Sequence, residues 1–537
     1  MARVALALFG LAFGIYVSTL PTSITWLNSG TDSGELATAV DTLGVAHPPG
    51  YPTYILLGRL FAFLPFGEVA YRTNLMSAFF GAAAVVLLYF VVLEFIHLTK
   101  AKGEEARSWT ALVSAALAAS ALAFSPLFWS QATITEVYAL NAFFVAAITF
   151  LLVRRAARGT AEPRGFLGDR YLPGAALLLG LAMGNHLTVA LLAPPALLLV
   201  AVKWSKQSLV TIPSVLAAFL LGLAIYVYLP ISSAQDPPVN WGQTDGLSGF
   251  WWMVSSTPYR DFFFGTSREV WLDNLGDSLS LLIDQFYYIG IAIGLAGAVY
   301  LWRRQLLGSL FTISLLFLIV IYATTYSTPD YFVYLIPAFM IFALWLGLGS
   351  YWALTMAIPW LWRQRQLKGY QGAYLPALFL ATVLMMGLVP GRSLGVNYSD
   401  QDLSNDSTAV LYGQRVLQTV EPGSILLLEL DSHIFSMWYT VFTSNPEPDV
   451  VLITQNLLLY DWYVDSVNQK YPGILPAEPG NSFQDRLRNL LRANLNKRSI
   501  YMTDLTLSNH FVFREFDTQQ VPIGDREGRI LYLVLGR

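Results

Sequence analysis

The chain contains uninterrupted apolar windows of about 20 residues, the length an α-helix needs to cross ~30 Å of hydrocarbon. They fall at 4–24, 75–97, 109–127, 137–153, 172–185, 187–202, 208–229, 286–302, 306–326, 331–357 and 371–389. Backbone N–H and C=O groups inside lipid must be paired within the segment itself, so each window reads as a helix. A membrane barrel would show alternating segments of about ten residues instead. Only 12% of the residues are charged, against about a quarter in soluble domains, and those charges cluster between the windows. The expected fold is therefore an all-α polytopic membrane protein with about 11 transmembrane helices. The stretch 52–66 is apolar but short and holds Arg59, which predicts an interfacial or re-entrant helix. The run 4–20 lacks a small-residue cleavage site and is read as a retained span. Cysteine is absent, which removes disulfides, thiolate metal sites and a cysteine nucleophile.

Charge orients the spans. With the N-terminus in the cytoplasm and one crossing per window, the cytoplasmic side receives sixteen basic residues. These are Arg3, Lys100, Lys102, Arg107, Arg154, Arg155, Arg158, Arg164, Arg170, Lys203, Lys206, Arg303, Arg304, Arg363, Arg365 and Lys368. The opposite loops before residue 391 hold four: Arg59, Arg72, Arg260 and Arg268. That asymmetry is what the positive-inside rule requires, and one misplaced span would scramble it. It puts Asp32, Glu35, His47, Glu136, the 231–285 loop and Asp330 on the extracytoplasmic face.

Residues 391–537 differ in character from the membrane part, 1–390, with 12 basic and 17 acidic residues and only short apolar runs. Runs at 424–430, 449–454, 499–503 and 530–535 read as strands, and 461–469 and 487–495 as helices. Alternating strands and helices predict a small extracytoplasmic α/β domain. It carries no nucleotide-binding glycine fingerprint, no P-loop and no tandem repeat.

Polar chemistry concentrates in the first loop. Asp32-Ser33-Gly34-Glu35 has two open readings. It can be a capping box at a helix start, or a pair of carboxylates on one helix face at a partly desolvated membrane mouth, where a raised pKa suits a general base. In His47-Pro48-Pro49-Gly50-Tyr51-Pro52, three prolines and a glycine fix the backbone. The loop is either a rigid connector or a mount presenting His47 and Tyr51. Arg59 and Arg72 are interfacial snorkelling residues or phosphate ligands. Glu136 is a cap partner of Thr133 or a site residue. Asn185-His186 lies between two short windows near the same face, where a lone histidine is more often structural. Asn240-Trp241 sits in a Pro-rich turn with an aromatic platform suited to sugar or lipid contact. Asp330 opens a window as a cap or a ligand.

Taken together, these residues resemble a known family. Thr31-Asp32-Ser33-Gly34-Glu35-Leu36, His47-Pro48-Pro49-Gly50-Tyr51-Pro52 and Arg72-Thr73-Asn74 are similar to segments of the protein O-mannosyltransferase-like GT-C membrane glycosyltransferases. So are Trp129-Ser130-Gln131, Glu136-Val137-Tyr138 and Gly184-Asn185-His186. That family was long a domain of unknown function and includes the transmembrane O-mannosyltransferases acting on plexins. The resemblance covers about 1–230 well, the later spans more loosely, and not the tail.

It implies a GT-C-like fold and inverting transfer of a sugar, typically mannose, from a polyprenyl-phosphate donor. The acceptor is a hydroxyl of a protein Ser/Thr or a glycan on the extracytoplasmic face. Asp32 and Glu35 are the expected catalytic pair, with Asp32 as base. Arg59, Arg72 and His47 are expected at the donor phosphate, and Tyr51, Glu136, Tyr138, Asn185, His186, Asn240 and Trp241 at the substrates. No metal is assigned, although Asp32, Glu35, His47 and His186 could in principle hold a divalent ion. The expected partners are the lipid donor and the acceptor, without nucleic acid, in a bacterial inner membrane. The main alternative, a lipid or solute transporter, predicts ionisable groups at mid-membrane and internal repeats. The middle windows carry almost none of the former, and no repeat is evident.

Overall fold

The computed structural model describes residues 1–100, 109–158, 169–202, 210–368, 374–504, 506 and 508–536, with backbone alone for 158, 357–368 and 374–386. The expected cytoplasmic residues Lys102, Arg107, Arg164, Lys203 and Lys206 lie outside the described residues. So do the side chains of Arg158, Arg363, Arg365 and Lys368, and the first residues of the 208–229 and 371–389 windows.

Among the described residues, seven helices are long and apolar enough to cross a membrane: Ala2–Thr19, Val69–Thr99, Tyr138–Ala157, Ile212–Ser233, Arg268–Arg304, Leu306–Thr325 and Tyr331–Met356. The pair Trp109–Ala123 and Pro126–Ala132, bent by 69°, is apolar and long enough to make an eighth if it forms one broken span. The bend falls where Pro126, at the start of the second helix, cannot donate a helical hydrogen bond. The 371–389 window falls in helix Tyr374–Gln401.

The windows 172–185 and 187–202 differ from expectation. They form two shorter apolar helices, Tyr171–Met183 and Leu187–Ala201. A 13-residue helix rises about 20 Å, shorter than the ~30 Å of a bilayer's hydrocarbon. The chain turns between them at Gly184-Asn185-His186. The short stretch after His47 is, as expected, a brief helix, Pro52–Ala62, opened by Pro52. Helix Arg268–Arg304 begins well before its apolar part and breaks at Tyr287, whose φ is 54°.

The C-terminal region is α/β. Its five-stranded sheet has the order β2-β1-β3-β5-β4, with β1 Ser424–Leu428, β2 Val450–Thr454, β3 Ile500–Met502, β4 Asp517–Pro522 and β5 Ile530–Leu535. β1 lies parallel to β2 and β3, and β5 is antiparallel to β3 and β4. Four strands match the apolar runs. β4 was not expected because this edge strand, Asp-Thr-Gln-Gln-Val-Pro, has no fully buried residue and so no apolar run to reveal it. The helices Asp461–Lys470 and Phe483–Asn494 match expectation. Thr408–Thr419 and Asp431–Phe442 are additional.

Helix Asp431–Phe442 joins this region to the membrane bundle. It packs directly on the first-loop helix Ser33–Thr42. The approach is so close that a Cβ on Gly34 would lie 2.3 Å from the Phe435 carbonyl oxygen. Around that contact, Trp26 Nε1–H donates to Ser436 Oγ at 2.9 Å and to Ser432 O at 3.1 Å. Tyr439 Oη–H donates to Glu68 at 3.1 Å. The carboxyl end of β1 thus faces the first loop.

Gly34→Ala forces these two helices apart or strains their backbones. Overpacking of this kind costs about 1–3 kcal/mol. The expected result is a lower melting temperature in detergent and faster proteolytic release of the C-terminal region. Unchanged melting and proteolysis would contradict the close approach.

Candidate active site

The first loop is held in place from below. Asn74 Nδ2 donates to the carbonyls of Pro21 at 3.0 Å and Ser23 at 3.1 Å, while its Oδ1 accepts from Thr135 Oγ1 at 2.6 Å. Gln131 Nε2 donates to Asn28 O at 2.7 Å. The Arg72-Thr73-Asn74 and Trp129-Ser130-Gln131 segments therefore clamp the loop that carries Asp32.

Asp32 ends a short 3-10 turn and is the residue before helix Ser33–Thr42, but its side chain makes no capping hydrogen bond. Glu35 does not reach back to it. The capping box expected as one reading of this motif is therefore not formed. Glu35 is fully buried and turns to His47, accepting from the His47 backbone N–H at 3.0 Å and from ring Nδ1–H in a short hydrogen bond. The other ring nitrogen, Nε2, lies 2.9 Å from Tyr51 Oη and 3.8 Å from Asp32 Oδ2.

The backbone of the Pro-rich loop makes this possible. Gly50 has φ +88°, a left-handed conformation that favours glycine, and its N–H closes a turn onto His47 O at 2.8 Å. Before the turn, Val45 bridges to Asn240: Val45 N–H donates to Val239 O at 2.8 Å, and Trp241 N–H donates to Val45 O at 3.1 Å. The 231–245 loop is thereby pinned beside His47.

The two carboxylates have different surroundings. The Glu35 side chain is 0% exposed and that of Asp32 is 37% exposed. Burial pushes Asp32 up; the His47 charge opposes this and Glu35, Asp431 and Asp330 add to it, leaving Asp32 at about 7. Burial works against a charged His47, but Glu35 and Asp32 outweigh it and lift the imidazole to about 9. His47 is thus a cation at neutral pH, donating Nδ1–H to Glu35 and Nε2–H to Tyr51. Asp32 is the accessible group, poised to gain or lose a proton near pH 7. Burial, then Asp32 and Asp330, push Glu136 well above the usual carboxylate range. Thr133 does not cap it, since its hydroxyl donates back to Ser130 O at 3.0 Å.

An aromatic wall encloses the cluster. His47 lies edge-on to Tyr51, Trp241 and Tyr259, with centroids 5.0, 6.2 and 6.2 Å away. His186 packs between Tyr138 and Tyr334, each 5.6 Å away. Burial, with His47 nearby, lowers His186 to about 4. It is neutral, with Nδ1 accepting from Thr188 Oγ1 at 2.6 Å. Asn185 is fully buried and donates to Val137 O at 3.1 Å, bracing the Glu136–Tyr138 segment. Beside Tyr334, a small cavity of about 10 Å³ is lined by Asn141, Val145, Leu192, Leu315 and Ile319.

Arg59 and Arg72, expected at a lipid phosphate, are committed elsewhere. Arg59 Nη1 donates to Asp41 O at 2.6 Å and the guanidinium lies over Phe63. Arg72 donates to the carbonyls of Ala62, Phe66 and Gly67 at 2.5, 2.9 and 2.8 Å. The structure instead brings His47 to the carboxylates. Sequence reasoning missed Tyr259, Tyr334 and Asp431 at this site; the Tyr322, Tyr326 and Tyr334 cluster at a helix end was the visible sign of the second. Among the described residues no three His, Asp or Glu side chains converge as a metal-ligand set.

Residues 32–210 match the family described as "Protein O-mannosyl-transferase TMEM260 N-terminal domain". The chain is 28% identical over 493 residues to "Protein O-mannosyl-transferase TMEM260" of Mus musculus, covering 88% of this chain and 65% of that protein. It is 25% identical over 524 residues to the tmem260 protein of Dictyostelium discoideum, covering 88% and 61%. The chain thus spans slightly less than two thirds of the length of these relatives. Its fold is similar to that of ArnT from Cupriavidus metallidurans, solved bound to undecaprenyl phosphate. The TM-score is 0.53 at 14% identity, covering 99% of this chain and 97% of that one. The chain therefore resembles the protein O-mannosyl-transferases and has the fold of a GT-C glycosyltransferase. Both the sequence likeness, over 88% of the chain, and the fold likeness, over 99%, reach into the C-terminal region.

The His47 assignment is testable by nitrogen-15 NMR of histidine-labelled protein. His47 should titrate near 9, and well below that in Glu35→Gln, because the neutral amide no longer favours the imidazolium. A His47 that titrates below 7 in the wild type would contradict the ion pair.

Proposed function

We propose that this integral membrane protein transfers a sugar, mannose, from a polyprenyl-phosphate donor to a hydroxyl acceptor on the extracytoplasmic face. The observation that carries this reading is Asp32: a half-exposed carboxylate poised near pH 7, beside a buried Glu35–His47 ion pair, at the mouth of an apolar bundle. The relatives named as O-mannosyl-transferases and the likeness to a fold solved with undecaprenyl phosphate support it. The basic-residue asymmetry of the loops supports the sidedness. The reported relatives are eukaryotic, so they lend no support to a bacterial inner membrane.

The reaction this reading implies is an in-line displacement. The acceptor oxygen attacks the anomeric carbon from the face opposite the phosphate. The carbon–oxygen bond to phosphate breaks, and its electron pair leaves with the lipid phosphate. The acceptor proton passes to Asp32, and the sugar configuration inverts. Glu35 does not touch substrate in this scheme; it keeps His47 charged and oriented. The imidazolium holds Asp32 toward its basic form and offers positive charge to the departing phosphate, a task first expected of Arg59 and Arg72. Tyr51 and Glu136 line the sugar site. Tyr138, Asn185 and His186 shape its inner wall, and Asn240 and Trp241 its outer one.

Purified protein in nanodiscs with radiolabelled polyprenyl-phosphate mannose and a mixed Ser/Thr peptide pool provides the test. Asp32→Asn should lose at least about a hundredfold in transfer rate, in line with general-base contributions, while still binding donor. Normal turnover in that variant would remove Asp32 from the role.

A further inference from the structure

Large apolar side chains stand exposed on one extracytoplasmic segment, between the spans Ile212–Ser233 and Arg268–Arg304. They belong to helix Leu247–Val254 and to the short turn Thr257–Phe262, which runs on into Phe263 and Phe264. The helix has two faces. Leu247, 81% exposed, and Trp251 lie one turn apart and face outward. Met253 is buried, and Trp252 packs on Tyr460 and Trp462 of the C-terminal region at 5.5 and 5.8 Å. At the tip, Phe262 and Phe263 are exposed and Phe264 is 74% exposed.

The contacts of the tip fix its depth. Phe262 and Phe263 pack on Tyr326, with ring centroids 5.8 and 5.3 Å apart, and Phe263 also packs on Tyr322 at 5.9 Å. Ser327 N–H donates to Phe262 O at 3.0 Å, and Thr266 Oγ1–H to Thr325 O at 2.9 Å. The span Leu306–Thr325 ends at Thr325. Tyr322 therefore lies about 4.5 Å inside its extracytoplasmic end. The tip is level with the last turn of a span, where hydrocarbon gives way to headgroups and aromatic side chains collect. Phe264 has φ 51°, a conformation that glycine takes freely and a bulky residue rarely. A phenylalanine stands where glycine fits the backbone better, and its ring points away from the protein. The inward side of the same turn reaches the site: the Tyr259 ring meets Phe262 at 5.9 Å and His47 at 6.2 Å.

We propose that residues 247–264 are an interfacial anchor: Leu247, Trp251 and the Phe262-Phe263-Phe264 tip insert among phospholipid chains of the extracytoplasmic leaflet, and this seat holds Tyr259 against His47. The occupant is bulk lipid, because the exposed face continues the lipid-facing surface of the span on which the tip rests. Two neighbouring exposed phenylalanines are costly in water and favourable there. The inference does not rest on the reaction assigned to the site. It makes the bilayer one of the supports of the aromatic wall.

The chain has no cysteine, so a single introduced one takes a nitroxide label at a known place. Phe264→Cys is compared with Phe317→Cys, exposed on the span Leu306–Thr325, and with Glu478→Cys, exposed on the C-terminal region. Each full-length variant is placed in nanodiscs of phosphatidylcholine alone, with no polyprenyl lipid. Collisions with oxygen report hydrocarbon, and collisions with a water-soluble nickel chelate report water. The label at 264 should favour oxygen, as at 317, and lose most of the nickel collisions seen at 478. A label at 264 that meets nickel as freely as at 478 overturns the proposal. So does one shielded from both reagents, which would mark a protein surface, such as a second copy, on the tip. The link to the site is read from the His47 ring signals in histidine-labelled protein. Phe264→Asp puts a charge that lipid rejects on a side chain lying mostly outside the protein. It should shift those signals in the direction that Tyr259→Leu does. Signals that move in Tyr259→Leu and stay in place in Phe264→Asp overturn the link.

Discussion

The buried ion pair between Glu35 and His47 organises this end of the molecule. A carboxylate with no solvent exposure is tolerated only when its charge is matched and its lone pairs are filled, and His47 does both through its ring and its own backbone N–H. Removing either partner leaves the other uncompensated, which typically costs about 3–5 kcal/mol. The Pro-rich loop is shaped to deliver that histidine. Its turn at Gly50, its bridge to Asn240 and the start of the next helix at Pro52 all follow from where His47 must sit. Asp32 then acquires its character from the pair: the imidazolium opposes a strong push toward protonation and leaves it near neutrality.

The same helix that carries Glu35 receives the C-terminal region. Gly34 lies between Asp32 and Glu35 because the backbone at Phe435 leaves no room for a side chain. The motif thus combines two requirements, carboxylates on one side of the helix and close packing on another. The docked helix begins with Asp431, which lies near enough to add to the field at Asp32. The C-terminal region is therefore a wall of the site.

Hydropathy made most of the bundle legible, because lipid demands long apolar runs and little else produces them. At 172–202 the two windows form shorter apolar helices, Tyr171–Met183 and Leu187–Ala201, joined by a turn at Asn185-His186. The four apolar strands of the sheet were visible for a similar reason, and the polar edge strand β4 was not. In the site, Asp32, Glu35 and His47 were legible from their spacing and polarity in an apolar chain. Their division of labour was not: which carboxylate is buried depends on packing against helix Asp431–Phe442, about 400 residues away in sequence. Arg59 and Arg72 looked like phosphate ligands from their position. Their partners are backbone carbonyls and Asp41, which no residue pattern announces. Tyr259 and Asp431 reach the site through tertiary contacts alone.

The most direct measurement of the account is the pH dependence of kcat/KM for wild type and His47→Gln. Asp32 must be deprotonated to act as base, so wild-type activity should rise with pH through about 7, and it should fall again as His47 loses its charge through about 9. His47→Gln lacks the cation that opposes protonation of Asp32, so its lower limb should move to higher pH and its upper limb should vanish. A lower limb that stays in place in the variant would contradict the claim that the Glu35–His47 pair tunes Asp32.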